Sequence, residues 1–295
     1  MRKKSLDRLP LGFNIFGITF VLALTVFCLV PFWLMVSGSF TENAAILRDG
    51  YRFWPSVPSV EAYKLVFKVP DIILRSYLVT ICLTLAGTLI SLFITSMTAF
   101  ALHRKDFRYR NIFSFFFYLT TLFSGGLIPF YLLMLNLGMR NSYLALLFPP
   151  LLSVFNIIVM RTFFSTLPAE IGESGKMDGA HDFTIYARLY LPMAVPGLAT
   201  IGLFTALVFW NDWYNALLFI NKPVMYPLQF QLYSIISQVN FAKTVAQRTG
   251  QQIANVPTEA LKLAMACITI GPVVLFFPFI QRYFIRGLTI GAVKG

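Results

Sequence analysis

Six long, predominantly apolar stretches of this chain contain no Asp, Glu, Lys or Arg: residues 9–41, 76–102, 111–139, 141–160, 189–211 and 263–281. A helix needs about 20 residues to cross the hydrocarbon core of a bilayer. Inside that core every backbone N–H and C=O must be satisfied within the structure, so only helices and closed barrels span it. A barrel would show alternating polarity over segments of roughly 10 residues, and these runs do not alternate. The runs therefore predict an all-α polytopic membrane protein with six transmembrane helices. Only 12% of the residues are charged, about half the share usual in soluble domains, and they are gathered in the connections.

The basic residues set an orientation. Arg2, Lys3, Lys4 and Arg8 precede the first run; Arg104, Lys105, Arg108 and Arg110 follow the second; Arg161, Lys176 and Arg188 lie between the fourth and fifth; Arg282, Arg286 and Lys294 follow the sixth. These four segments carry 14 of the 24 Lys and Arg residues, against 10 in the alternate connections 41–75, 140 and 221–262, two of which are long. Basic residues favour the cytoplasmic side. The expected plan is a cytoplasmic tail at 1–10, a six-helix permeation domain at 11–281, and a cytoplasmic tail at 282–295. The first run is about twice the length of a signal-peptide core, so it reads as a retained membrane helix. The net charge of +12 follows from this topology and does not call for nucleic acid. Cys28, Cys82 and Cys267 all lie inside apolar runs without CxxC spacing, and neither His103 nor His181 has a ligand-spaced partner, so no metal site or disulfide is expected.

The runs are punctuated. Gly125, Gly126 and Pro129 interrupt the third, Pro149 and Pro150 the fourth, and Pro272 and Pro278 lie in the sixth. Proline removes a backbone donor and kinks a helix. Such breaks serve either packing or a cavity lined by backbone. Of the outer connections, 51–59 has aromatics and prolines suited to an interface, and 240–257 is polar enough for a solvated loop or a partner-docking protrusion.

The inner connection 166–196, TLPAEIGESGKMDGAHDFTIYARLYLPMAVP, is far longer than a turn requires. Thr166 to Pro168 can start a helix, Glu170 and Glu173 suit its positive end, and Gly179 can close it in a left-handed conformation. Asp182 can cap a second helix, with Phe183, Tyr186, Leu189 and Tyr190 on one face. Pro192 opposes simple continuation. Two short helices at a bend suit insertion into a cleft on another protein. The substring GESGKM does not make a phosphate-binding loop. That motif needs a glycine five positions before its second glycine, where Glu170 stands, and a Ser or Thr where Met177 stands.

This segment resembles the EAA loop of ABC importer permeases. Glu173, Ser174 and Gly175 stand at the EAA positions, Gly179 follows at the motif's spacing between Asp178 and Ala180, Leu189 takes the hydrophobic place, and Leu191 and Pro192 close the pattern. Ser174 and Gly175 replace two alanines, and Gly175 softens the helix by about 1 kcal/mol relative to Ala. The stretches 123–150 and 161–171 and the ending RYFIRGLTIGAVKG are similar to the carbohydrate-uptake (maltose-type) branch of these permeases. The likeness is nearest to the second permease of Gram-positive complex-oligosaccharide importers. The resemblance implies a heteromer: a second homologous permease, two ATPase subunits that hold ATP and magnesium, and an extracellular sugar-binding lipoprotein. This chain would have no catalytic residues or cofactor of its own. Its 166–192 segment would be the coupling helix.

The sequence FWNDWYNAL, residues 209–217, places a carboxylate at the end of the fifth run. A charge at the centre of a membrane helix costs about 2.5–3.5 kcal/mol on insertion scales, so Asp212 lies near an interface, has a partner, or faces a wet path. On a helix starting near Pro196 it lies about 24 Å along the axis, in the outer half of the bilayer. Trp210, Asn211, Asp212, Trp213, Tyr214 and Asn215 combine rings for the apolar faces of sugars with groups that bond hydroxyls. A sugar path, an interfacial aromatic belt and packing between permeases are the three readings. An ion-coupled secondary transporter, with Asp212 as its ion site, is the alternative of a different class.

Overall fold

The backbone of residues 11–68, 70–249 and 258–292 is described by a computed structural model. Among those residues all regular structure is helical, apart from an isolated bridge between Thr41 and Pro58. The chain divides into two compact units, Met1–Pro70 with Ile236–Ile270, and Asp71–Ile235 with Gly271–Gly295.

The first unit begins with α1 (Leu11–Ser39), a 29-residue helix that is apolar on all sides. Phe16 is 70% exposed and Phe27 76%, which suits surroundings of lipid. Two short helices follow, α2 (Asn43–Asp49) and α3 (Glu61–Val66). The aromatic connection between them folds back on α1, where Trp33 Nε1 donates to the Phe53 carbonyl at 2.7 Å and stacks edge-on against Trp54. Ile46 and Ala62 pack against Ala260 and Ala264. Asn43 Oδ1 accepts from the backbone N–H groups of Glu259 and Ala260, so a residue 216 positions away satisfies donors that a helix start leaves open.

The second unit is built on α4 (Pro70–His103), 34 residues long. Its buried residues, Ile73, Ser76, Thr80, Gly87, Ser91, Thr95, Ser96, Ala99, Phe100 and Leu102, recur mostly at three- and four-residue spacing. Then come α5 (Arg110–Leu122), α6 (Leu127–Asn136), α7 (Leu144–Leu147) and α8 (Val154–Phe164). The inner connection forms α9 (Glu170–Met177), α10 (Asp182–Thr184), a π-helical stretch (Ile185–Tyr190) and α11 (Leu191–Met193). The fifth run gives α12 (Val195–Trp210) and then α13 (Tyr214–Phe219); α14 (Leu228–Thr249) and α15 (Thr258–Ala292) complete the order. A Cβ on Gly87 would collide with the Phe209 ring, so α4 and α12 approach through a small residue, a common device where no hydrophobic force drives helices together.

Among the described residues, three helices are single, long and apolar enough to cross a membrane: Phe13–Ser39, Pro70–His103 and Thr258–Leu275. The other three runs are broken where Gly and Pro fall. The third bends by 113° between α5 and α6, with Gly126 at a positive φ of 86°. The fourth is divided at Pro149 and Pro150, leaving α8 with 11 residues. The fifth turns by 83° at Ala194, between Pro192 and Pro196. In contrast, α15 runs unbroken through Pro272 and Pro278 to Ala292, past the point where the tail was expected to begin. The protrusion expected at 240–257 is helical through Thr249. The basic residues of the N-terminal tail and residues 250–257 lie outside the described residues.

Candidate functional site

The inner connection folds as two helices at a bend, and its corner is fixed by backbone geometry. Gly179 has φ +76°. The Ala180 N–H donates to the Gly175 carbonyl at 3.0 Å and the Gly179 N–H to the Lys176 carbonyl at 2.9 Å. This pair of bonds is the Schellman ending of a helix, which needs a left-handed residue that glycine supplies without strain. The helix starts at Glu170, with Ala169 as its cap, slightly later than Thr166–Pro168 suggested. GESGKM lies within this helix and forms no loop.

Asp182 does not cap the second helix. Its side chain makes no cap bond, and the cap position is held by His181. The carboxylate instead pairs with Arg104, because a nearby guanidinium competes for it more strongly than neutral backbone donors do. The widened π turn of residues 185–190 leads into Pro192, which has no N–H to donate and whose ring would crowd a regular turn. The chain turns at Ala194, two residues beyond.

Of the motif residues, Glu173, Ser174, Asp178, Gly179 and Pro192 are exposed, Ala180, Leu189 and Leu191 are half-buried, and Gly175 is buried. A Cβ on Gly175 would meet Leu189 Cδ1 at 3.0 Å and Ile185 Cγ1 at 3.1 Å. The small residue therefore lets α9 lie directly on the π stretch. Tyr186 and Tyr190 face the other way, into the core. Tyr186 Oη is 2.7 Å from Ser96 Oγ on α4, and Phe100 touches the rings of Phe164, Tyr186 and Tyr190 at 5.1–6.2 Å. The segment is thus seated on the C-terminal ends of α4 and α8. Residues facing outward are different: Met177 is 88% exposed and Phe183 60%.

An ion network closes the seat. Arg104 Nε donates to Asp106 Oδ1 at 2.9 Å, its other nitrogens reach the second oxygen of Asp106 and Asp182, and Lys176 pairs with Asp106. The Arg104 guanidinium, with Lys176 behind it, holds the Asp106 carboxyl well below the ordinary carboxylate range. A depressed carboxylate stabilises the fold above its unfolded value of about 4 and loses that contribution as pH falls through its folded value. Asp106 is therefore ionised at neutral pH. Two clefts flank it. One of about 420 Å³ is lined by Phe100, Arg104, Asp182, Phe183 and Tyr186 among others, and one of about 260 Å³ by Glu173, Lys176 and Tyr190 among others.

The outer aromatic stretch is not one helix. α12 ends at Trp210, and Asn211 Nδ2 donates to the Leu207 carbonyl at 2.9 Å. Asp212 accepts from the Asn215 backbone N–H at 3.1 Å through Oδ1 and from Asn215 Nδ2 at 2.9 Å through Oδ2. Its carboxylate thus serves the start of α13 as a cap does. This answers why so apolar a chain keeps a charge here: the break leaves open N–H groups, and Asp212 satisfies one. Read as one continuous helix, the sequence would put residues 209, 212, 213 and 216 on one face; the break after Trp210 removes that face. Phe209 is buried, while Trp213 is 39% and Tyr214 44% exposed.

The sequence reading missed two further residues at this place. Gln229 Nε2 donates to Asn211 Oδ1 at 3.0 Å, and the Tyr233 ring stacks on Trp213 with centroids 4.8 Å apart and planes 25° from parallel. Their i, i+4 spacing on α14 was visible, but nothing in the sequence tied α14 to α12. At the inner end, Ser96, Phe100, Arg104 and Asp106 were equally unassigned; the mixed charges of 104–110 were the available sign.

No family model matches the chain. Full-length relatives do. It is 34% identical over 295 residues to the polygalacturonan/rhamnogalacturonan transport system permease protein YtcP of Bacillus subtilis, covering 100% of both chains. It is 35% identical to Protein LplC of the same organism, over 96% of this chain and 95% of that one. A crystal structure of a bacterial ABC transporter that imports the acidic polysaccharide alginate matches with a TM-score of 0.79 and 31% identity, over 94% of this chain and 99% of that one. The chain belongs to the carbohydrate-transport permeases of ABC importers, which are integral membrane proteins. The ion-coupled alternative has no support among these relatives, and both oxygens of Asp212 are engaged by Asn215.

Proposed function

We propose that this permease forms half of a translocation path with a second homologous permease. Two ATPase subunits hold ATP and magnesium beneath the pair, and an extracellular sugar-binding lipoprotein delivers substrate. Both termini lie in the cytoplasm, and six membrane passages, three of them broken, connect them. Residues 166–192 couple the permease to its ATPase, with Glu173, Ser174, Gly175, Asp178, Gly179, Ala180, Leu189, Leu191 and Pro192 forming the docking element. One observation carries this reading: a corner locked at Gly179 and seated on α4 presents Met177 at 88% exposure on a segment outside the apolar runs. A large apolar side chain held rigidly in water fits an anchor for a partner's cleft. ATP-driven closure then acts through differential affinity for the two permease states.

The cargo we infer is an acidic oligosaccharide built on uronic acids, passing Trp210, Asn211, Asp212, Trp213, Tyr214 and Asn215. Support comes from the full-length likeness to a polygalacturonan/rhamnogalacturonan permease and to the alginate importer. The test is purification of the tagged chain in mild detergent together with uptake of labelled trigalacturonate and arabinotriose. An ATPase and a second permease should co-purify, and trigalacturonate uptake should require this chain. Absence of any ATPase from cells expressing the neighbouring genes overturns the coupling assignment, and uptake of arabinotriose alone overturns the acidic cargo.

A further inference from the structure

The outer aromatic stretch has a neighbour that the path described so far leaves out. α14 begins deep in the second unit. Leu228 is fully buried, and its backbone N–H donates to Thr80 Oγ1 of α4 at 2.8 Å, about 15 Å along α4 from its start at Pro70. Phe230 packs on Leu146, Ala216 and Ile220. With Leu228 and Phe230 fixing the inner side of this first turn, Gln229 and Tyr233 fall four residues apart on another face. That face meets the break between α12 and α13, where Gln229 holds Asn211 and Tyr233 covers Trp213.

Both pairs leave capacity unused. Trp213 and Tyr233 are each 39% exposed, so the stacked rings keep open edges and surface. Gln229 donates one N–H to Asn211, and its amide retains another N–H and an acceptor. Stacked rings beside a carboxamide are the chemistry that grips a pyranose: ring surface for its C–H face, and amide groups for vicinal hydroxyls.

We propose that Gln229 and Tyr233 form a second wall of the sugar path, facing Asn211 and Trp213, and so help to select the sugar that enters. The proposal rests on the reading of the 210–215 stretch as a sugar path. Tyr233 supplies an aromatic face and Gln229 a hydroxyl-binding amide. The wall sits on a helix whose start is anchored to α4, so its position is coupled to the same rod that seats the inner segment.

The experiment uses the complete importer in membrane vesicles, with Cys28, Cys82 and Cys267 replaced by serine and single cysteines placed at 213, 229 or 233. A membrane-impermeant charged thiol reagent reports water access. Labelling at all three positions is expected. Labelling at 213 but at neither 229 nor 233 leaves the path standing and overturns the second wall. No labelling at 213, with 229 and 233 also silent, overturns the path itself. In the native-cysteine importer, Tyr233→Leu keeps apolar volume but removes the ring, and should lower the maximal rate of trigalacturonate uptake at least fivefold with the complex intact. Tyr233→Phe should stay within twofold. Gln229→Leu should fall between them. Equal uptake for Tyr233→Leu and wild type overturns the proposal; so does an equal loss for Tyr233→Phe and Tyr233→Leu, which would assign the effect to the phenol oxygen or to packing.

Discussion

The inner segment of residues 166–192 and the outer stretch of residues 209–217 belong to the same unit, and both interrupt the helical pattern of a membrane chain. They manage the interruption differently. The inner break is sealed: a left-handed glycine ends α9, two tyrosines reach into the core, and four charged side chains tie the segment to the loop after α4. The outer break is left open. One carboxylate caps α13, and the rings around it stay partly exposed. The proposed coupling role asks the inner segment to resist deformation, and the pairing of Lys176 and Asp182 with Asp106 and Arg104 serves that. The proposed sugar path asks the outer stretch to keep aromatic surface free, and Trp213 and Tyr214 keep theirs partly exposed. The difference between them lies in where their unspent contacts point.

The sharpest way to break this comparison is at Gly179. Gly179→Val places a β-branched residue at φ +76°, where even an unbranched residue loses about 1–2 kcal/mol. Uptake should fall more than tenfold and the ATPase should no longer co-purify. Gly179→Asn should do less harm, because Asn tolerates this conformation. Equal effects of the two would mean that the corner is not rigid.

Asp212→Ala comes next. It removes the cap of α13, worth about 1 kcal/mol, and uptake should drop severalfold while the complex still assembles. Asp212→Asn keeps an acceptor for the Asn215 N–H and should retain more activity. Loss of assembly in Asp212→Ala would turn the outer break from path to packing.

Tyr186→Phe tests the seat. It deletes the bond to Ser96 and leaves that hydroxyl buried, a loss of about 1 kcal/mol. The expected result is a lower melting temperature of the purified complex with uptake changed less than twofold. A large uptake defect at unchanged stability would show that the tyrosine acts in the transport cycle itself.

The smallest effect is predicted for Gly175→Ala. Ala restores the residue of the family motif and gains about 1 kcal/mol of helix propensity. Its Cβ, however, would stand 3.0 Å from Leu189 Cδ1, so the gain is largely offset and uptake should remain near wild type. A marked loss would show that Leu189 cannot move and that the seat is tighter than its outer counterpart by more than hydrogen bonding.

The sequence by itself determined that the chain is helical and belongs in a membrane, because long uncharged runs leave no other way to satisfy a backbone in lipid. It also determined the places where helices fail, since Gly125, Gly126, Pro149 and Pro150 act locally, and the left-handed corner at Gly179, since only the residue type and its position after a helix are needed. It misjudged Asp182, whose partner Arg104 lies 78 positions away, and the shared helical face around Asp212, which a short break removed. Pro272 and Pro278 carried the same local signal as the other prolines, yet α15 continues through them. Only the tertiary structure decided that Tyr186 reaches Ser96, that α9 rests on Leu189 through Gly175, and that Gln229 and Tyr233 stand against Asn211 and Trp213. Such pairings depend on helix contacts across large sequence separations, and in an apolar chain where nearly every face is greasy, periodicity does not say which face meets which.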